Sequence, residues 1–147
     1  MLDGLNRAII EELQVDGRRP YGAIARAVGL SEAAVRQRVQ KLRESGTIQI
    51  VAVTDPKQVG YTRQAMVGIR VEGDVRSLAD KLAAVPEIDY VVICAGRFDL
   101  LVEVVCVDDN HLLDVINKTI RSLPGVRDAE PFIYLELTKE TYTWGTR

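Results

Sequence analysis

An α+β fold in two parts is predicted by two changes along the 147 residues, one in hydrophobic period and one in charge. Up to about residue 46, apolar side chains recur three and four apart, the spacing of buried helix faces; from residue 63, β-branched runs alternate with helical stretches. Residues 1–53 carry eight Lys/Arg against six acids, a net of +2, whereas residues 54–147 carry eleven against fifteen, a net of −4. The sequence therefore divides into a mildly basic helical part (1–53), a hinge or linker (54–62) and an acidic part built on a sheet (63–147). Apolar residues at 47% and charged residues at 27% are globular proportions.

In the first part, Leu2, Leu5, Ile9 and Leu13 form a 3-4-4 stripe, and Asp16-Gly17 supplies a stop. A second helix fits Tyr21–Val28, with Ile24, Ala25 and Val28 inward and Pro20 tolerated in its first turn. Gly29 can take the left-handed conformation that ends a helix, and Ser31 can cap the next. The third helix reaches about Ser45, with Val35, Val39 and Leu42 inward, and stops at Gly46. Two helices joined by a tight Gly turn make a helix-turn-helix. Thr47 to Val53 is β-branched and is expected as a small wing or linker strand ending at Asp55-Pro56.

The second part predicts a strand over 64–71, a helix over 75–85 capped by Asp74, strands over 90–95 and 100–107, a helix over 110–123 and a strand over 131–138. "VP" at 85–86 and "LPG" at 123–125 end the two helices. The order βαββαβ is the ferredoxin-like arrangement, with both helices on one face of an antiparallel sheet. Its other face should then read polar, yet YVVICA and LLVEVVCV are apolar at both parities, with Glu103 the only charged interruption. Such a face needs a cover, most simply a second copy of the chain; the alternative is that the N-terminal helices fold over it.

Setting Gly96 opposite Asp99 in the hairpin places Cys94 opposite Leu101 and Cys106 opposite Asp89. The sulfurs are then roughly 16 Å apart along the strands, too far to bridge, and both are expected as buried free thiols. The longest apolar run, 91–95, is too short for a membrane span, and MLDGLNRAII lacks the order of a signal peptide, so the chain is read as cytoplasmic with no membrane partner.

If Val35, Val39 and Leu42 face inward, then Glu32, Ala33, Arg36, Gln37, Gln40 and Arg43 lie on or beside the opposite face of the third helix. Arg and Gln can pair with guanine and adenine edges in the major groove, and a Gly turn before such a helix is the arrangement that places its N-terminal residues there. Arg38 sits nearer the inward stripe and is expected to brace the domain through an acid. His111, the only histidine, has no nucleophile or carboxylate at catalytic spacing; a surface or capping role is expected. Asp108-Asp109 suits a helix N-terminus without a metal. No catalytic residues, metal site or cofactor are expected. The aromatic pair Tyr142 and Trp144 is expected in subunit packing, with ligand contact as the weaker option.

"LDGLNRAIIEELQVDGR", "LSEAAVRQRVQKLRESGTI", "GRFDLLVEV" and "LPGV", in this order, resemble the Lrp/AsnC, or feast/famine, transcriptional regulators over essentially the whole chain. The resemblance implies a winged helix-turn-helix, a hinge strand and a ferredoxin-like sensing domain of dimeric α/β barrel type. It also implies homodimers that commonly assemble into tetramers, octamers or larger discs. Double-stranded DNA is then the expected partner. Arg36 and Gln37 would read bases beside Ser31, Glu32, Ala33 and Gln40, while Lys41, Arg43, Arg18 and Arg19 serve phosphates. A small effector, an amino acid or related metabolite, is implied at Gly96, Arg97, Phe98 and Asp99. The sequence departs from the family at Pro20, where Ser or Thr is frequent, at Arg43, where Glu is usual, and at Ile50-Val51, where Gly-Tyr is common. A stand-alone small-molecule-binding or metabolic protein on a ferredoxin-like domain is the other reading, since fold alone does not set function.

Overall fold

A computed structural model describes residues 2–142 and 144–146 and divides the chain into two units, one of residues 1–53 with 139–147 and the other of residues 54–138. In the first unit, α1 (Gly4–Val15), α2 (Tyr21–Val28) and α3 (Glu32–Glu44) enclose Ile9, Ile24, Ala25, Val35 and Val39. Asp3 caps α1, and Ser31 Oγ caps α3 by accepting from the Ala34 amide at 3.2 Å. Gly29 ends α2 in the left-handed conformation (φ 71°), the turn the sequence predicts.

The stripe proposed for α1 is corrected in part. Ile9 is buried, but Leu5 is exposed and Ile10 is buried in its place. The start of α1 is tied to α3 by Arg38, whose guanidinium binds Asp3 Oδ2 at 2.7 Å and Asn6 Oδ1 at 2.9 Å. Arg38 is thus the brace expected, and its hydrogen bond holds the Asp3 carboxyl below the usual aspartate range. The bond's contribution to stability is present above the unfolded-state pKa of Asp and is lost as pH falls through the lowered folded value.

No wing forms. The amides of Thr47 and Ile48 turn back to Leu42 O, and residues 48–55 run on without a strand. Among the described residues, the first unit has no second strand for this segment to pair with. The linker contains a short tight helical turn, Pro56–Val59.

The second unit is one sheet, ordered β2-β3-β1-β4, with β1 (Arg63–Val71), β2 (Ile88–Ile93), β3 (Leu100–Cys106) and β4 (Val126–Ile133) antiparallel throughout. On one face, Ala65, Val67, Ile69, Leu100, Val102, Val104, Cys106 and Ala129 pack against α4 (Val75–Ala83) and α5 (Asp109–Asp114), the latter prolonged over Val115–Ile120 by wider turns of i→i+5 type. Asp74 caps α4 and Asp108 caps α5 through the His111 amide. His111 itself is half-buried, its Nδ1 accepting from the Val107 amide at 3.3 Å with Nε2 3.5 Å from Glu87. By strand alternation and register the opposite face carries Met66, Gly68, Tyr90, Val92, Leu101, Val105 and Phe132 together with Gln64, Arg70, Glu103, Asp128 and Glu130, so it is apolar mainly over β2 and β3, where the sequence predicts it, and charged along β4.

Two strand assignments change. The last strand spans Val126–Ile133, not 131–138: it starts early because VRDAE lies along an edge, where outward polar side chains read as loop while the backbone pairs with β1, and it ends where β1 begins and offers no further partner. The Tyr134 amide bonds to Gln64 O, so by alternation the nitrogen of Pro131 points away from β1, the position an edge strand allows it. In the hairpin, Ile93 faces Leu100, two residues from the register expected; the parity, and hence each face, is unchanged.

Cys94 and Cys106 are both free. Cys106 is buried, and desolvation, with Glu87 and Asp108 nearby, pushes its thiol up to about 11. Cys94 is only half-buried, with Sγ 3.2 Å from Phe98 O. Iodoacetamide at pH 8 should therefore alkylate Cys94 in the native protein and spare Cys106 until it unfolds; peptide mass mapping of both sites checks this.

Candidate nucleic-acid interface and hairpin loop

The inward stripe of α3 leaves Ser31, Glu32, Ala33, Arg36, Gln37, Gln40, Lys41 and Arg43 all exposed, on the outward side or at the helix start. Cationic and amide groups are therefore presented together by a helix whose first turn is capped and whose rear is fully packed. Arg36 Nη2 donates to Glu32 Oε1 at 3.0 Å, and its guanidinium lies 5.3 Å from the Tyr21 ring centroid. Gln40 Nε2 donates to Glu44 Oε1 at 2.7 Å. Lys41 and Arg43 form no ion pair among the described residues, which suits them to phosphates. An open groove of about 780 Å³ runs between Tyr21, Arg36, Gln40 and Arg43 on one side and Ile48, Gln49, Ile50 and Val51 on the other.

Of the two arginines before α2, Arg18 is exposed, while Arg19 is half-buried and ion-paired with Glu12. Tyr21 was not singled out from sequence; the available signal was an aromatic opening a helix that leads straight into the turn before α3.

The hairpin loop, residues 94–99, is held against the sheet. Asp99 Oδ2 accepts from the Val71 amide at 2.8 Å, and the Asp99 amide donates to Ile69 O at 2.9 Å, beside the irregularity between Arg70 and Val71. Arg97 pairs with Glu130 at 3.0 Å. The Phe98 ring lies on Gly68, where a Cβ would fall 2.6 Å from ring carbons. Arg97 and Arg70 stand 5.4 and 6.0 Å from its centroid, and Phe132 meets it edge-on at 6.0 Å. Gly96 sits at φ 152°, a backbone angle that favours glycine. Both charged side chains of the loop thus have partners within the protein. Among the described residues, the amides of 95–98 donate to no backbone carbonyl, and these are the groups left to meet an anion. Gly68 and Glu130 were not anticipated, although an isolated Gly inside a strand pattern is a known sign of close approach.

A profile of the AsnC-type helix-turn-helix domain matches residues 2–43, and one of a C-terminal dimeric alpha+beta barrel domain matches residues 61–147. HTH-type transcriptional regulator FL11 of Pyrococcus horikoshii is 36% identical over 145 residues, covering 95% of this chain and 93% of that protein. Among solved structures, E. coli AsnC superposes with a TM-score of 0.85 at 26% identity, covering 97% of both chains. A transcriptional regulator of Neisseria meningitidis in complex with L-Met does so with 0.84 at 25% identity, covering 96% of this chain and 94% of that one. The helix-turn-helix implies DNA as partner, and the dimeric domain implies a homodimer. No helix among the described residues is long and apolar enough to cross a membrane. With both domain types in order and a relative more than one-third identical along nearly its whole length, the chain belongs to the Lrp/AsnC family of DNA-binding transcriptional regulators, which are not enzymes.

Proposed function

We propose that this regulator binds a two-fold-symmetric DNA site as a homodimer or a larger assembly of dimers, and that a small metabolite, an amino acid in the first instance, tunes that assembly. The observation that carries the proposal is the outward face of α3, where Arg36, Gln37 and Gln40 stand clear of the core beside Lys41 and Arg43. Arg36 and Gln37 read base edges near Ser31, Glu32, Ala33 and Gln40; Lys41, Arg43, Arg18 and Arg19 serve phosphates, Arg19 after exchanging Glu12 for one. A net of +2 binds a polyanion weakly at physiological salt, so several copies must act on one DNA.

The amino-acid reading is supported by the L-Met bound to the Neisseria regulator and by the loop Gly96 to Asp99, whose amides can hold a carboxylate. Asp99 contributes mainly by fixing the loop to β1, and Arg97 acts through its pair with Glu130.

Selection from a random duplex library should return a roughly palindromic site with half-sites about one or more helical turns apart. Lys41→Ala should weaken selected and unselected sequences alike and lower the salt slope by about 1. An asymmetric selected site would overturn the dimeric reading. A thermal-shift screen of the amino acids should give a hit worth about 2.7 kcal/mol at a hundredfold excess over Kd. If that hit persists unchanged in Gly96→Val, the ligand sits elsewhere.

A further inference from the structure

Arg36 is fixed from two helices before any DNA arrives. Glu32, one turn earlier in α3, accepts from Nη2 at 3.0 Å, and the Tyr21 ring, from the first turn of α2, faces the guanidinium at 5.3 Å. Gly22 supplies the clearance: a Cβ there would stand 3.0 Å from Glu32 Oε2, so a larger residue would press on the carboxylate that holds the arginine. Tyr21 is half-buried, its ring resting against the cluster of Ile9, Ile24, Ala25, Val35 and Val39, and so has little freedom of its own.

We infer that Tyr21 is a positioning residue for sequence reading: its ring face presets the plane and direction of the Arg36 guanidinium, with Gly22 keeping room for the Glu32 carboxylate. The inference rests on the reading of Arg36 as a base-contacting residue. An arginine has many rotamers, and the freedom it loses on docking opposes binding; a guanidinium already stacked and hydrogen-bonded loses less. A bidentate contact to guanine O6 and N7 also demands one plane. A ring in a packed corner supplies that plane more firmly than an exposed carboxylate, whose pair with Arg36 is open to water. The role belongs to the π-face of the ring and not to its hydroxyl.

The test uses the full chain and its selected operator, comparing affinity with that for operators changed at single guanines. Arg36→Ala should abolish discrimination at one guanine in each half-site. Tyr21→Phe should keep discrimination, whereas Tyr21→Leu should reduce it at that same guanine by roughly threefold to tenfold, the scale of a partly desolvated cation–π contact. The salt slope should stay unchanged, because no phosphate contact is lost. A series of fluorinated phenylalanines at position 21 keeps the shape of the ring and drains its face of charge, so discrimination should fall stepwise with fluorine number in proteins that fold alike. If Arg36→Ala leaves discrimination intact, the base-reading assignment fails and this inference with it. If Arg36→Ala removes it while Tyr21→Leu and the fluorinated series do not, the positioning role alone is wrong. Equal losses in Tyr21→Phe and Tyr21→Leu would mean that the hydroxyl acts directly, which also overturns it. A loss shared by all sequences and accompanied by a lower Tm would show a packing role only.

Discussion

Leu101→Asp should convert the protein to a monomer at micromolar concentration while leaving each chain folded. Leu101 lies on the sheet face away from α4 and α5, between Gly68 of β1 and Val92 of β2, and its neighbours in sequence, Leu100 and Val102, are the ones that point into the core. Leu101 is half-buried in the isolated chain, so a carboxylate there still reaches water. Pressed against a second copy it must be desolvated without a partner, which costs several kcal/mol. Affinity for the operator should then fall about a hundredfold or more, because two weakly basic helical units no longer act together. Analytical ultracentrifugation with circular dichroism checks the first claim and fluorescence anisotropy the second. A variant that sediments as a dimer would show that the copies join elsewhere.

Replacing Gly68 by Val should cost about 3 kcal/mol, at the upper end of what overpacking usually costs. The Cβ alone would stand 2.6 to 2.7 Å from three ring carbons of Phe98, so the ring must leave its place between Arg70, Arg97 and Phe132, and the hairpin loop must follow. The sign should change in a Phe98→Ala background. With the ring gone, Val has room in the middle of β1 and brings the β-propensity that glycine lacks. Urea unfolding of both singles and the double measures the coupling directly. Additive losses would mean that Gly68 is required for its backbone and not for the space above it.

Much of what positions the candidate interface was legible in residue types. Gly29, Ser31 and the Val35, Val39, Leu42 stripe follow from local rules in which each residue answers to neighbours within one or two turns, and they place the outward residues of α3 without further information. What went unread depends on residues distant in sequence. The brace of α1 onto α3 joins Arg38 to Asp3 and Asn6, 35 and 32 residues earlier, and no local pattern pairs them. The last strand starts at Val126 because β1 lies alongside it; its own composition, with Arg127, Asp128 and Glu130, argues for a loop, and the alternation of the following residues drew the boundary too late. The β-branched run after α3 has the propensity of a strand and, among the described residues of its own unit, no second strand beside it. At the hairpin loop, that Asp99 and Arg97 would already be engaged, with Val71 and Glu130, could not be read before the strands were paired.

The outward nitrogen of Pro131 has a consequence for solubility. A four-stranded sheet has two open flanks, and each could template further strands from neighbouring molecules and grow into a fibre. Along β4 the outer flank offers no donor at Pro131, and Asp128 and Glu130 place charge on the same strand. Lateral growth is interrupted there, as in natural sheets that resist aggregation. Sideways addition of further copies along β4 is thereby disfavoured, which helps keep the sheet from becoming the seed of an open-ended fibre.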